Sequence, residues 1–266
     1  MSDILKLFQM SESEYNTYLQ NKCMKSKYYH YQQPYFQNMV KFLYTLCVNV
    51  SNSHCTNLGP FPLPLGYVGI ELTSTIHGTE DVFGYFLYNA TLNTAIIVFA
   101  GTFYQYQWFL DADMKLVDVP FVFTTLQAHE GFLMMYTSLR KQLNGLVDKY
   151  EIDKLYISGV SLGAGLSVLA GLDFAELKPT VVLFAGPRVL DIAGAKVFDM
   201  LVPKCLRVYN TEDVITALPP AILDMNDSKS GVKQCYMHVG EGFSFTDNLC
   251  DVFRNHTDAY KIFFDL

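Results

Sequence analysis

The stretch Gly159-Val160-Ser161-Leu162-Gly163 carries the most chemical information in this sequence: a serine with a glycine two residues before it and another two residues after. A serine held in a tight turn between a strand and a helix has both elements crowding it. The positions two away must therefore be nearly free of side chain, which is what a nucleophile elbow demands. Strand-like Leu155-Tyr-Ile-Ser precedes the motif, and an apolar helical pattern comes after it, its end bracketed by Gly171 and Pro179. At this composition the five-residue pattern arises by chance roughly 0.06 times per chain. The plain alternative is a serine that caps a helix, with glycines that merely allow close packing. As a nucleophile, Ser161 faces the positive end of the following helix, and the N–H of Leu162 points at an oxyanion formed on a substrate carbonyl. A second donor belongs after an earlier strand. Ala95-Ile-Ile-Val-Phe-Ala-Gly101-Thr102 makes Thr102 the candidate, through its backbone N–H and its hydroxyl.

A serine hydroxyl needs an imidazole within hydrogen-bond reach, and that imidazole needs a carboxylate to fix its tautomer. Behind an elbow of this kind the chain order is serine, acid, histidine. Asp213 follows the β-rich run Cys205 to Asn210 and so falls at the carboxyl end of a strand, where ligand chemistry gathers in open α/β sheets. Its plain alternative is a surface-turn aspartate, and Glu212 and Asp224 are the fallback acids. Two histidines lie beyond Ser161: His238, in strand-like Tyr236-Met-His-Val-Gly, and His256, in Asn255-His-Thr-Asp258-Ala-Tyr260 ahead of a terminal apolar helix. His129 is read as packing at a helix start, and His30, His54 and His77 as surface or loop residues. Cys235-x-x-His238 and His54-Cys55 lack the second ligand pair of a tetrahedral site, so no metal and no other cofactor is expected.

The elements that must position these residues are read from periodicity. Strands are expected over Val82–Tyr88, Thr94–Phe99, Leu155–Ser158, Thr180–Phe184 and Cys205–Tyr209, with longer helical patterns between them. One helix is expected from Gly131 to Tyr150, where Phe132, Met135, Tyr136, Leu139, Leu143 and Leu146 recur at three and four. This alternation predicts an α/β fold with a mostly parallel central sheet flanked by helices. Residues 1–66 read as a helical and loop cover of the same domain, with Val40, Leu43, Tyr44 and Cys47 at helical spacing and Pro60, Pro62 and Pro64 marking a loop after them. Residues 67–266 are the core.

Composition narrows the class. Charged residues are 17% of the 266 and apolar residues 50%, so the chain is globular, and a net charge of -7 without a basic cluster argues against nucleic acid as a partner. The six cysteines are read as mostly reduced thiols. The amino terminus lacks the apolar region of a secretory signal, and no run reaches the ~20 apolar residues of a membrane span. A cytoplasmic protein, or one peripheral at lipid surfaces, is the expectation, with secretion after processing left open; the oligomeric state is unknown.

Several ordered segments point further: Phe99-Ala100-Gly101-Thr102 with Trp108-Phe-Leu-Asp111, His129-Glu-Gly131-Phe132, the elbow itself, Pro187-Arg188, Arg207-Val208-Tyr209-Asn210-Thr211-Glu212-Asp213-Val214 with Leu218-Pro219, and His238-Val239-Gly240. Through them the chain resembles the class 3 lipase family, the fungal-type lipases of the α/β-hydrolase fold, over roughly residues 83 to 261. Two positions depart from the family pattern, Ala100 where an arginine is usual and Val160 where a histidine is usual. The resemblance implies a Ser161, Asp213, His256 triad, with His238 structural. It also implies a lid near residues 103–118, where Phe103, Tyr104, Tyr106, Trp108, Phe109 and Leu110 form an aromatic patch whose plain alternative is core packing. An apolar lid suits an acyl ester at a lipid–water interface, and the negative net charge suits neutral or zwitterionic lipids. The implied activity is hydrolysis of lipid esters through an acyl-enzyme, as a lipase or esterase. Phospholipase A1 or acyltransferase chemistry would use the same residues, and a catalytically silent lipid-binding or scaffold protein is the rival of another class.

Overall fold

Thr94–Phe99 buries all six of its side chains and Thr180–Phe184 four of five, as strands covered on both faces require. Both lie inside a seven-stranded sheet in the computed structural model, which describes residues 34–55, 60–76, 79–101, 114–224 and 233–266. The strands are β1 (Val68–Ile76), β2 (Thr79–Asn89), β3 (Thr94–Phe99), β4 (Lys154–Val160), β5 (Thr180–Phe184), β6 (Cys205–Asn210) and β7 (Glu241–Phe245), and they lie side by side in that order. β1, β2 and β3 pair antiparallel, whereas every pairing from β3 to β7 is parallel. Parallel neighbours need crossovers. Three of these carry helices: α2 (Glu130–Lys149) from β3 to β4, α3 (Leu162–Asp173) from β4 to β5, and α4 (Ile192–Leu201) from β5 to β6.

The alternation of side chains along a strand divides the core into two layers. Ile97 and Phe99 point toward α2 and α3, where Phe132, Met135, Tyr136, Leu139 and Leu143 supply one stripe of α2. Helix α3 is buried from Leu162 to Leu172, as a helix apolar on every side must be. Ile96 and Val98 point the other way, against Leu43, Tyr44, Cys47 and Val50 of a preceding helix, α1 (Pro34–Cys55). The chain ends in two short helices, α5 (Val252–His256) and α6 (Asp258–Phe263), and Tyr260 of α6 joins the α1 layer. A second sheet of five short antiparallel strands lies in the spatial order Ile222–Asp224, Lys233–Met237, Leu190–Asp191, Gln127–His129, Leu116–Asp118.

β3 and β5 have the bounds the sequence predicts, and β2, β4, β6 and α2 differ from them by only a few residues. β1, β7 and most of the small sheet are not foreseen. They lack the apolar run that marks a covered strand: β1 is Val-Gly-Ile-Glu-Leu-Thr-Ser-Thr-Ile with Val68 exposed, and β7 is Glu-Gly-Phe-Ser-Phe at the other edge. The opening residues of the cover and most of the lid segment lie outside the described residues.

Gly84 of β2 sits opposite Phe99, and a Cβ there would stand 2.1 Å from the Val98 carbonyl oxygen, which is backbone and cannot rotate away. Gly84→Ala is expected to destabilise the fold by about 1–3 kcal/mol. Urea unfolding of the two proteins measures this directly, and equal midpoints would show that β2 and β3 can part at no cost.

Candidate active site

Ser161 joins β4 to α3 with φ 57 and ψ -121, a left-handed conformation that a serine adopts only under restraint. The restraint is backbone packed on backbone. A Cβ on Gly159 would lie 2.2 Å from the Gly163 carbonyl oxygen, and one on Gly163 would lie 2.5 and 2.6 Å from the carbonyl oxygens of Phe99 and Ala100 at the end of β3. The Ser161 N–H donates to the Phe184 carbonyl on β5 (2.9 Å), and its carbonyl accepts from Ala164 and Gly165 to begin α3. Its hydroxyl makes no capping bond to that helix. The helix-capping alternative therefore fails, and the hydroxyl is turned to His256.

Ser161 Oγ lies 2.8 Å from His256 Nε2, and His256 Nδ1 lies 2.8 Å from Asp213 Oδ2. Histidine and acid come from separate parts of the chain: His256 ends α5, and Asp213 opens the turn after β6. The Asp213 side chain is wholly buried, that of His256 11% exposed. A buried carboxylate persists only if its lone pairs are used. The Ile215 N–H donates to Asp213 Oδ1 (3.0 Å), and Tyr260 Oη donates to Oδ2 (2.8 Å) beside the imidazole. Because an ionised carboxylate only accepts, His256 carries its proton on Nδ1 and presents the Nε2 lone pair to the serine hydroxyl.

Tyr260 does not act alone. Its hydroxyl accepts from the Asn210 N–H (2.9 Å) while donating to Asp213, and burial, then the Asp213 charge, raise its pKa well above that of a free phenol. The buried Asn210 amide donates to the carbonyls of Asp247 and Asn255, and Asn255 donates to the Glu212 carbonyl while accepting from the Leu249 N–H. The segments bearing Asp213 and His256 are thus tied on both sides of the imidazole. Tyr260, Asn210 and Asn255 were not picked out as site residues from sequence. The signal available was position: Tyr260 is one helical turn after His256, and Asn210 is three residues before Asp213.

His238 is kept away from the serine. Its Nε2 lies 2.9 Å from the Thr216 carbonyl and so must donate to it, and Arg188 reaches the Ala217 and Pro219 carbonyls of the same turn. Together they brace the turn that begins at Asp213. Of the fallback acids, Glu212 accepts from Asn248, and Asp224 lies in the small sheet opposite Lys233. His129 is buried at the start of α2, where its Nδ1 accepts from the Gly131 N–H (3.1 Å). Leu162 is the first residue of α3, whose N–H is among those an α-helix leaves without an internal acceptor. Ala100 is buried under α1, and Val160 packs against the same layer. Thr102 and the aromatic residues Phe103, Tyr104, Tyr106, Trp108 and Phe109 lie outside the described residues. Among the described residues no three His, Cys, Asp or Glu side chains converge as metal ligands, and Cys47, Cys205, Cys235 and Cys250 are free.

Residues 96–223 match the family described as Lipase (class 3). That segment contains Ser161 and Asp213 and ends before His256. The chain is 30% identical over 217 residues to the galactolipase DONGLE of Arabidopsis thaliana, covering 66% of this chain and 43% of that protein. It is 34% identical over 146 residues to phospholipase A1 EG1 of Oryza sativa subsp. indica, covering 43% and 33%. The chain thus spans less than half the length of these relatives. Among solved structures, a triacylglycerol lipase described as having a serine-protease triad at its catalytic centre aligns with a TM-score of 0.64 at 21% identity, covering 81% of this chain and 82% of that one. The Rhizomucor miehei lipase in its propeptide complex aligns with a TM-score of 0.62 at 23% identity, covering 81% and 70%. These likenesses establish the α/β-hydrolase fold.

Burial, with the nearby charges of Arg207 and Arg188, pushes His238 down to about 3, and burial pushes His129 down to about 4. Both rings stay neutral in the folded chain as pH falls below 6.5, the ordinary value, while the unfolded chain takes up protons. Stability is therefore expected to fall as pH drops from about 6.5 toward 4. Urea midpoints between pH 7 and pH 4.5 should show the decline, and His238→Gln should make it shallower. An unchanged slope would mean that His238 is protonated in the fold. Tyr260→Phe removes a donor to Asp213 without a change of shape, and should slow the reaction of Ser161 with a fluorophosphonate about tenfold.

Proposed function

We propose that the chain, whose residues 96–223 match the class 3 lipase family, hydrolyses carboxylic esters of lipids through an acyl-enzyme formed on Ser161. The observation that carries this reading is the unbroken hydrogen-bond chain from Ser161 through His256 to buried Asp213, with the serine held in a strained elbow. Ser161 Oγ attacks the ester carbonyl carbon as His256 Nε2 takes its proton, and Asp213 stabilises the imidazolium that results. The oxyanion is received by the N–H of Leu162 and by Thr102. Collapse of the tetrahedral intermediate expels the alcohol, which leaves with the proton from His256. A water, deprotonated by the same nitrogen, then attacks the acyl carbon, releases the fatty acid and restores the serine. Ala100 and Val160 touch none of these steps, since the donors are backbone groups and both side chains pack toward α1.

The substrate class we favour is a polar glycerolipid. The relatives named as a galactolipase and as phospholipases A1 support it, and so does the charge of -7, which suits an uncharged or zwitterionic head group better than an anionic surface. Phospholipase A1 activity is thus part of the leading reading, and acyltransferase chemistry differs only in which hydroxyl receives the acyl group. Phe103, Tyr104, Tyr106, Trp108 and Phe109 we assign to a lid over the site, within residues 103–118. Among the described residues no helix is long and apolar enough to cross a membrane. We place the protein peripherally at a lipid surface. The names of the plant relatives are chloroplastic and lend no support to a cytoplasmic location.

Fluorophosphonate labelling of the native protein and of Ser161→Ala is the direct test. Labelling should be lost with the serine, and hydrolysis of galactolipid and phosphatidylcholine dispersions should be lost with it. Asp213→Asn and His256→Ala should each lower kcat about 10³-fold or more. A native protein that takes no label would be a silent lipid binder, and one that releases acylated alcohols rather than fatty acid would be a transferase. Replacing Tyr104 and Trp108 with serine should slow hydrolysis of dispersed lipid while nearly sparing a soluble butyrate ester, because each ring transferred to lipid contributes about 1.5–3 kcal/mol. Equal loss on both substrates with unchanged melting temperature would remove the lid.

A further inference from the structure

Helix α1 packs chiefly over β2, β3, β4 and β5. Beyond it, toward the edge of the sheet, the same face is covered by α6, where Phe263 stacks on Phe245 of β7 with ring centroids 4.3 Å apart. Between the two helices a cavity of about 270 Å³ remains. Its floor is Leu206 and Val208 of β6 together with Phe243, which lies opposite Val208 on β7. Val40 of α1 forms one wall, and Phe263 and Phe264 at the end of α6 form the other. None of Ser161, Asp213 and His256 lines it.

A floor and walls of this kind suit an apolar occupant, because water needs polar partners and an unfilled apolar surface forfeits the contacts that close packing supplies. The walls stand without one: the Phe264 ring lies 4.6 Å from that of Tyr44 and 5.6 Å from that of Phe184. Size limits the choice. Pockets for small ligands begin at roughly 300 Å³, so this cavity has room for one alkyl chain and not for two. The mouth is polar and carries both signs. Lys41 Nζ stands 3.9 Å from Asp265 Oδ2, and Gln37 lies one helical turn before Lys41 with Asn38 beside it. The Lys41 side chain is 35% exposed and that of Asp265 93%, so the pair is solvated and opens at little cost. A fatty-acid carboxylate drawn to Lys41 is repelled by Asp265, and a purely cationic head group meets the reverse. A head group that holds a phosphate and a quaternary ammonium satisfies both, with the phosphate at Lys41 and the two amides as donors, and the ammonium at Asp265.

We infer that this cavity is a second lipid site, separate from the triad, which takes the alkyl chain of a zwitterionic single-chain lipid, a lysophospholipid with a phosphocholine head group. Binding here requires neither Ser161 nor the ester-hydrolase reading. The ligand is nonetheless of the class that removal of one acyl chain from a phosphatidylcholine releases. Its chain lies against α6, the helix whose Tyr260 donates to Asp213, so a product-like lipid rests on the element that holds the acid.

The probe is decylphosphocholine, which has no ester to cleave, titrated by calorimetry below its micelle concentration into the full chain and into Ser161→Ala. Both proteins should bind it saturably, one per chain, and decyl sulfate and decyltrimethylammonium should each bind about tenfold more weakly or worse. Val40→Phe, which fills the cavity, and Lys41→Glu, which leaves the mouth with two negative charges, should each weaken phosphocholine binding about tenfold or more. Lys41→Glu should also turn the preference toward decyltrimethylammonium. That variant changes a partly exposed charge, so its melting temperature should stay within about 3 °C of the native value, and it decides the matter alone if Val40→Phe does not fold. Absence of saturable binding in the native chain would overturn the inference. Affinity left unchanged by Lys41→Glu would also overturn it, since the ligand then sits elsewhere, and so would decyl sulfate bound as tightly as the phosphocholine. A native protein that takes no fluorophosphonate at Ser161 yet binds the probe with this pattern loses the hydrolase reading and keeps the second site.

Discussion

Three segments of backbone meet without side chains between them, and the rest of the structure is arranged around that meeting. The end of β3, the turn at Ser161 and the first turn of α3 approach so closely that a methyl group on Gly159 or Gly163 would overlap carbonyl oxygens. Sheet order follows from this contact, since β3 and β4 must be parallel neighbours for the strand end to reach the elbow. Left-handed backbone at Ser161 is another consequence. Strain at that residue is tolerable because the sheet on one side and the wholly buried α3 on the other leave the turn no room to relax. A half-buried hydroxyl at the carboxyl end of β4, turned to His256, is the outcome.

A second constraint is electrostatic. The Asp213 side chain is removed from water, and its oxygens are satisfied by three donors that converge on it, from His256, Tyr260 and the Ile215 backbone. Those donors come from two parts of the chain. The network of Asn210 and Asn255 joins them, so the same bonds that satisfy buried amides also hold the imidazole between acid and serine. Folding of the carboxyl-terminal residues and assembly of the site are in this sense one event. His238 and Arg188 contribute from outside by bracing the turn after Asp213, which gives a physical reason for their presence that does not involve the reaction.

Departures at Ala100 and Val160 lose their weight once the layers are known. Both side chains face the α1 layer, and neither lies on the line from Ser161 to His256 to Asp213. Small and apolar residues there let α1 close over the sheet, and with α1 in place Ser51 reaches Gly101. A covering helix and an anchor for the end of β3 are two uses of one packing arrangement.

The sequence alone determined the serine elbow and the covered strands, because each is written in local chemistry. Gly159 and Gly163 flank Ser161 within five residues, and runs such as Thr94–Phe99 and Thr180–Phe184 are apolar because both faces are buried. Asp213 was readable as the end of a strand. The pairing of His256 with it leaned on family resemblance, since nothing in Asn255-His-Thr states which way the ring turns. Only the tertiary structure decided that Ser161 leaves its helix uncapped, that His238 faces a carbonyl, and that Tyr260 and Asn210 join the hydrogen bonds around Asp213. The edge strands β1 and β7 likewise became visible only through their pairing, being half-exposed and polar. The division has one physical cause. Steric demands of a tight turn and the burial of a strand act on neighbours in sequence and leave a local pattern, whereas hydrogen bonds between residues 43 to 95 positions apart leave none.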